Sequence, residues 1–183
     1  MHALIDAAQD TDYPAAISCA ITDNPGAGGI AYAHAARSPC EIIDPAHYAG
    51  KQAFEAALQT CLIHYNIELI CLAGFMRILS PEFIAKWPGR IINIHPSLLP
   101  AYKGLNTHAR VLANGDAETG CTVHYIDSGI DTGEVIAQKH VPVYPGDDTD
   151  RLEQRVRAAE HELYPATLAL VAHNLLHVSA NRA

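Results

Sequence analysis

Positive charge is scarce in this chain. Its 12 Lys and Arg stand against 20 Asp and Glu, a formal net charge of −8, whereas a nucleic-acid backbone or an anionic membrane surface is held by clustered cations. Neither is expected as the main partner, and an anionic small substrate stays open because a few local groups suffice for it. Long apolar runs are missing too, and the N-terminus has no basic region leading into an apolar stretch, so no bilayer-spanning or secretory segment is read. The five cysteines, Cys19, Cys40, Cys61, Cys71 and Cys121, are scattered and form no C-x-x-C pair, which argues against a disulfide framework. Several lie in apolar runs, the usual setting of small buried thiols in a reducing compartment. A cytoplasmic protein is the expectation.

With 183 residues, 49% apolar and 17% charged, the chain can bury a full core as a single domain, residues 1–183. Helical composition over 1–8 gives way to a strand over 13–22, a helix over 31–37 and a short strand over 40–43. A longer amphipathic helix follows over 49–65, with Phe54, Leu58, Cys61 and Leu62 on one face. The near-continuous apolar run 68–75 predicts a strand buried on both faces, as in parallel sheets. Ser80-Pro81-Glu82 opens a helix that ends near Trp87. Residues 106–114 are helical in composition and closed by Gly115, and 120–126 and 134–143 read as two strands joined by a short loop. Residues 150–177 read as one long or broken helix, with Thr149 as N-cap and an interruption near Pro165. The class is α/β, a mostly parallel sheet with an antiparallel portion toward the C-terminus.

The stretch 90–100, R-I-I-N-I-H-P-S-L-L-P, organises the rest. Ile91 and Ile92 predict a buried strand, and Pro96, which has no N–H for a ladder, should stop it. Asn93 and His95 then sit at the carboxyl end of a strand, one position apart and on one side, where an open parallel sheet faces its ligand crevice. A strand-to-loop turn satisfied by these two residues is the plainer alternative.

Gly26-Ala27-Gly28-Gly29-Ile30-Ala31 satisfies the G-x-G-x-x-G/A fingerprint of a dinucleotide site, and Glu41 and Asp44 follow. Yet Asp23, Asn24 and Pro25 separate the strand from the first glycine, and an ordinary Gly-rich turn is the competing reading. Among 11 histidines, His173 and His177 share a helical face at i, i+4, but no H-E-x-x-H is present and no carboxylate completes a metal site. His2, His34, His47 and His140 have no partner arguable from sequence. The loop 127–133, D-S-G-I-D-T-G, puts two acids between apolar strands. Either acid can be a turn former; alternatively, a carboxylate brought to His95 favours the imidazolium and orients it, giving a trio suited to a carbonyl that gains negative charge.

The motifs A-G-F-M-R-I-L-S (73–80), N-I-H-P-S-L-L-P (93–100), T-V-H-Y-I-D (122–127), D-T-G-E-V-I (131–136) and A-E-H-E-L-Y-P (159–165) together resemble the phosphoribosylglycinamide formyltransferases, in the family's order and over essentially the whole chain. N-x-H followed by D-x-G is shared by the wider formyltransferase superfamily. The resemblance implies a Rossmann-like fold, 10-formyltetrahydrofolate as co-substrate, 5-phosphoribosylglycinamide as acceptor, no metal, and a homodimer as an admissible assembly. It makes Asn93, His95 and Asp131 the catalytic set. The folate would lie against Met76, Arg77, Ile78, Leu79, Asn93 and the backbone of Asp127, Ser128, Gly129, Ile130 and Asp131, with Lys51 near its acidic tail. Pro96 and Glu160 would meet the nucleotide substrate. His108 and His124 lie near the family's site without an assigned role.

At the front the chain departs from the pattern. Family members begin with an apolar strand and a G-x-G-S-N-like loop that holds the substrate phosphate. Residues 1–7 match the helix after that loop, so strand and loop are expected to be lacking, and a start codon assigned too late is favoured over a genuine shortening. Poor binding of the nucleotide substrate is expected in either case. Two other functions share the resemblance: a formyltetrahydrofolate deformylase using water as acceptor, and a catalytically impaired folate- or nucleotide-binding module.

Overall fold

The structure, a computed structural model, describes residues 1–180, with side chains through residue 177. It divides into two compact units, one formed by Met1–Glu68 with the residues from Ala172 on, the other by Leu69–Val171.

The first unit contains α1 (His2–Ala7), β1 (Ala20–Thr22), α2 (Gly29–Ala35), β2 (Cys40–Ile42) and α3 (Lys51–His64). β1 and β2 pair in parallel with Ala20 opposite Cys40. Ile5, Ala20 and Ala33 form a small core, with Met1, Ile17 and Tyr32 packed on it. The strand predicted over 13–22 shrinks to three residues. Pro14 has no N–H to donate, and Tyr13 N–H turns back to the Asp10 carbonyl at 3.1 Å. On α3 the predicted apolar face is present: Phe54 and Leu62 are buried, Leu58 and Cys61 half-buried.

The second unit carries β3 (Ile70–Leu72), α4 (Pro81–Ile84), β4 (Ile91–His95), α5 (Thr107–Asn114), β5 (Glu118–Tyr125), β6 (Val135–Pro142) and the first part of α6 (Thr149–Ala180). Its sheet runs β3-β4-β5-β6. β3 and β4 are parallel, while β4–β5 and β5–β6 are antiparallel, so the parallel-then-antiparallel order read from the sequence is realised. β3 is shorter than the apolar run 68–75 and only half-buried. It is the end strand of its sheet, and Gly74 at φ 70° turns the backbone away.

Between sheet and helices, Val111 of α5, Cys121 of β5, Val141 of β6 and Leu152, Val156 and Ala159 of α6 make one cluster. The α6 members recur at four and three residues, the helical stripe that a sheet face covers, and each fully buried Val or Leu contributes about 1.5–3 kcal/mol. Ser80 caps α4, its Oγ accepting from Phe83 N–H at 3.1 Å, and Gly115 at φ 71° ends α5. At α6 the cap expected at Thr149 belongs to Asp148, whose carboxylate accepts Arg151 N–H at 2.8 Å. α6 also runs unbroken through Pro165. One missing hydrogen bond is tolerated there because the adjacent Tyr164 hydroxyl anchors the helix to the Leu72 and Ile92 carbonyls, at 2.8 and 3.1 Å.

Candidate active site

β4 ends at His95, just before Pro96, and carries Asn93 and His95 on one side. The antiparallel register with β5 sets Asn93 opposite His124 and His95 opposite Thr122. The four side chains therefore share one face of the sheet, and His124 and Thr122 are fully buried there. Asn93 Nδ2 lies 3.3 Å from His124 Nε2. His124 Nδ1 is 2.8 Å from the Tyr125 carbonyl. A carbonyl accepts only, so Nδ1 carries the proton and a neutral ring offers Nε2 as acceptor to the Asn93 amide. Burial pushes His124 below the ordinary histidine range, which fits that neutral ring.

Asp131 is supplied by the loop after β5. Its Oδ2 lies 3.3 Å from His95 Nδ1 and its Oδ1 3.6 Å from His124 Nε2, with side-chain exposures of 7%, 1% and 13% for His95, His124 and Asp131. Gly104 N–H also donates to Oδ2, at 2.8 Å. The other nitrogen of His95, Nε2, faces the Tyr102 carbonyl at 3.0 Å. The His95 ring is thus held between the Tyr102 carbonyl and the Asp131 carboxylate.

The loop geometry explains the motif D-S-G-I-D-T-G. Asp127 is the turn former: its Oδ1 accepts Gly129 N–H at 3.0 Å and the Thr132 hydroxyl at 2.7 Å. Asp131 is the acid that reaches the histidines, and it does so from a left-handed backbone, φ 49°. Such a conformation costs on the order of 1 kcal/mol and is kept where surrounding contacts fix it. Gly133 is required by approach: a Cβ there would stand 1.8 Å from the Tyr125 carbonyl oxygen. On the β4 side, Thr122 ties down the loop after Pro96. Its hydroxyl donates to the Ser97 carbonyl at 2.6 Å and accepts from Leu99 N–H at 3.0 Å, while Gln138 donates to both Thr122 and the Leu99 carbonyl, at 2.9 and 2.8 Å.

Asn93, His95 and Asp131, predicted as a set, come together, and Pro96 follows directly. Met76 and Ile78 present exposed side chains, as does Ile130, at 77%, 61% and 56%. Arg77, Ser128 and Gly129 are exposed as well, whereas Leu79 is buried in the core. Glu160 lies half-buried on α6, and burial raises its carboxyl above the usual range. Lys51 lies on α3 in the first unit, 4.0 Å from Glu55. His124 is the residue for which sequence reasoning found no role. Its signal was the alternation of Thr122 and His124 on a strand pairing with Asn93 and His95. His108, on α5, keeps a buried Nδ1 without a hydrogen-bond partner, and burial lowers its basicity.

The Gly26–Gly29 segment does not form a phosphate cradle of the dinucleotide kind. None of its glycines has positive φ, and Asn24 folds the turn on itself, its Oδ1 accepting Gly26 N–H at 2.9 Å. Among the described residues no group of three or more His, Cys, Asp or Glu side chains could hold a metal ion, and no helix is long and apolar enough to cross a membrane.

Residues 1–168 match the family model described as formyl transferase. The chain is 36% identical over 183 residues to a phosphoribosylglycinamide formyltransferase of Haemophilus influenzae, covering all of this chain and 86% of that protein. It is 40% identical over 181 residues to the trifunctional purine biosynthetic protein adenosine-3 of Homo sapiens, covering 99% of this chain. The chain spans 13% to 18% of the length of such trifunctional relatives. Among solved structures, the phosphoribosylglycinamide formyltransferase of Brucella melitensis superposes with a TM-score of 0.91 at 46% identity, over 94% of this chain and 88% of that one.

Proposed function

The chain belongs to the formyl transferase family, and from that premise we propose that it moves the formyl group of 10-formyltetrahydrofolate to the amine of 5-phosphoribosylglycinamide, a step of purine biosynthesis. The observation that carries the reading is the convergence of Asn93, His95 and Asp131, with the His95–Asp131 contact at 3.3 Å. In this reading the acceptor nitrogen attacks the formyl carbon, forming a C–N bond as the carbonyl electron pair moves onto oxygen. Asn93 and His95 donate N–H groups to that oxygen, the His95 Nε2–H being handed over from the Tyr102 carbonyl. Asp131, facing His95 Nδ1 at 3.3 Å, orients the ring for that donation. The extra proton on the attacking nitrogen passes to Asp131, directly or through water. Collapse re-forms the carbonyl and breaks the bond to N10 of the folate, which takes up the proton held by Asp131, directly or through water, and leaves as the secondary amine. Neither a metal nor a covalent enzyme intermediate is needed.

The exposed apolar side chains of Met76, Ile78 and Ile130 fit a flat ring system such as the pterin, with the backbone of residues 127–131 beside it offering polar edges. Leu79, being buried, would act by shaping the backbone. Lys51 and Glu160 keep the roles the family resemblance gives them, the folate's acidic tail and the nucleotide substrate. The match over residues 1–168 supports treating 1–183 as one formyltransferase domain. Five free cysteines support a cytoplasmic location, and the homodimer that the family resemblance admits is checked by sedimentation velocity.

The test follows loss of the formyl folate by absorbance with and without the glycinamide ribonucleotide. Acceptor-dependent loss is expected. Acceptor-independent loss would make the protein a hydrolase, and folate binding without loss a binding module.

A further inference from the structure

The catalytic pair is oriented by a loop that the family motifs do not explain. Between Leu99 and α5 the backbone is left-handed at alternate residues, φ 55° at Tyr102, 77° at Gly104 and 56° at Asn106. Tyr102 and Asn106 are not glycine, so that path persists only where contacts fix it. Its two outputs both reach the site: the Tyr102 carbonyl meets His95 Nε2 at 3.0 Å, and Gly104 N–H meets Asp131 Oδ2 at 2.8 Å.

Ser97 Oγ holds the start of the loop, donating to the Ala101 carbonyl at 2.6 Å, and its middle is held mainly by one side chain. Arg110, exposed on α5, directs Nη1 to the Lys103 carbonyl at 2.7 Å and toward the Leu105 carbonyl at 3.4 Å. These two carbonyls flank Gly104, so holding them fixes the direction of the Gly104 N–H. The guanidinium also stands 5.3 Å from the centre of the Tyr102 ring, whose hydroxyl is hydrogen-bonded to the Asp116 carboxylate. Asn114 holds the same carboxylate at 2.6 Å. We infer that Arg110 is a positioning residue for formyl transfer, clamping the 102–106 loop so that Gly104 and Tyr102 hold Asp131 and His95 in working geometry. The inference rests on the formyl-transfer reading of the site and adds a residue that touches neither substrate nor the reacting atoms.

Because Arg110 is exposed and Gln suits a helix about as well as Arg, Arg110→Gln should leave the fold intact, which its thermal transition checks. Misplaced catalytic groups cost up to about 100-fold in rate, and an Arg110→Gln loss of roughly tenfold in kcat is expected, with KM for the formyl folate unchanged. Arg110→Lys, able to reach one carbonyl, should recover part of it. Hydrogen exchange at the Gly104 amide, read without turnover, should quicken in Arg110→Gln and return toward wild type in Arg110→Lys. Unchanged Gly104 exchange overturns the inference, as does quickened exchange with wild-type kcat. If the wild-type chain transfers no formyl group, the functional reading fails, while the exchange measurement still decides the clamp.

Discussion

Two glycine-bearing loops differ in what glycine does for them. The turn before α2 holds Gly26, Gly28 and Gly29, and the loop after β5 holds Gly129 and Gly133. At Gly28 an added Cβ would meet nothing within 4 Å, and at Gly29 it would meet the flexible end of the Met1 side chain. At Gly133 it would meet a backbone oxygen at 1.8 Å, and at Gly129 the Thr132 hydroxyl at 2.0 Å. The first loop tolerates side chains; the second is closed so tightly that glycine is obligatory. A glycine pattern signals a site when it lets backbone segments approach each other, and the approach at Gly133 is what delivers Asp131 to the buried histidines.

The comparison breaks most visibly at the side chains the second loop serves. Losing one donor aimed at a developing oxyanion costs on the order of 100-fold in turnover. Asn93→Ala and His95→Ala should each lose at least about that in kcat, whereas wild-type rates in either would remove the chemistry from this end of the sheet. Next in size is Gly133→Ala. Forcing the Tyr125 carbonyl aside should destabilise the protein by about 1–3 kcal/mol, as overpacking does, and lower turnover with it. Urea unfolding beside steady-state kinetics reads both effects.

A smaller effect sharpens the contrast through pH. Burial lowers the proton affinity of His124 and His108 from the ordinary value of 6.5, so just below that pH the unfolded chain binds more protons than the folded one. Stability should therefore rise with pH through that window and be fully present above it. His124→Gln should flatten the slope, seen as thermal transitions compared across pH. Smallest is Gly28→Ala, at φ −59° and with open space around it. It should shift stability by no more than about 0.5 kcal/mol, as ordinary surface changes do, and leave turnover alone.

Much of this was legible because local chemistry forced it. Pro96 ends β4 where its missing N–H demands, and that placed Asn93 and His95 at the sheet's mouth. Gly115 and Ser80 bound their helices through ordinary capping. Residue chemistry by itself could not tell Asp127 from Asp131, since both suit turns; the family resemblance singled out Asp131, and the closed loop shows why, with Asp127 spent on the turn and Asp131 reaching His95. His124 was placed near the site but given no role, because its meaning depends on register with Asn93, a non-local fact. The strand predicted over 13–22 shortened because propensity counts apolar residues and not partners. Arg110 gave no signal, being one exposed cation on a helix until the 102–106 backbone is seen wrapped against it.

The most direct test is formyl transfer by the wild type beside Asp131→Asn. The substitution keeps the size of the side chain and an acceptor oxygen for Gly104 N–H, but removes the charge that faces His95 at 3.3 Å. A drop on the order of 100-fold or more in kcat with the folded state intact is predicted. Equal rates in the two proteins would contradict the account.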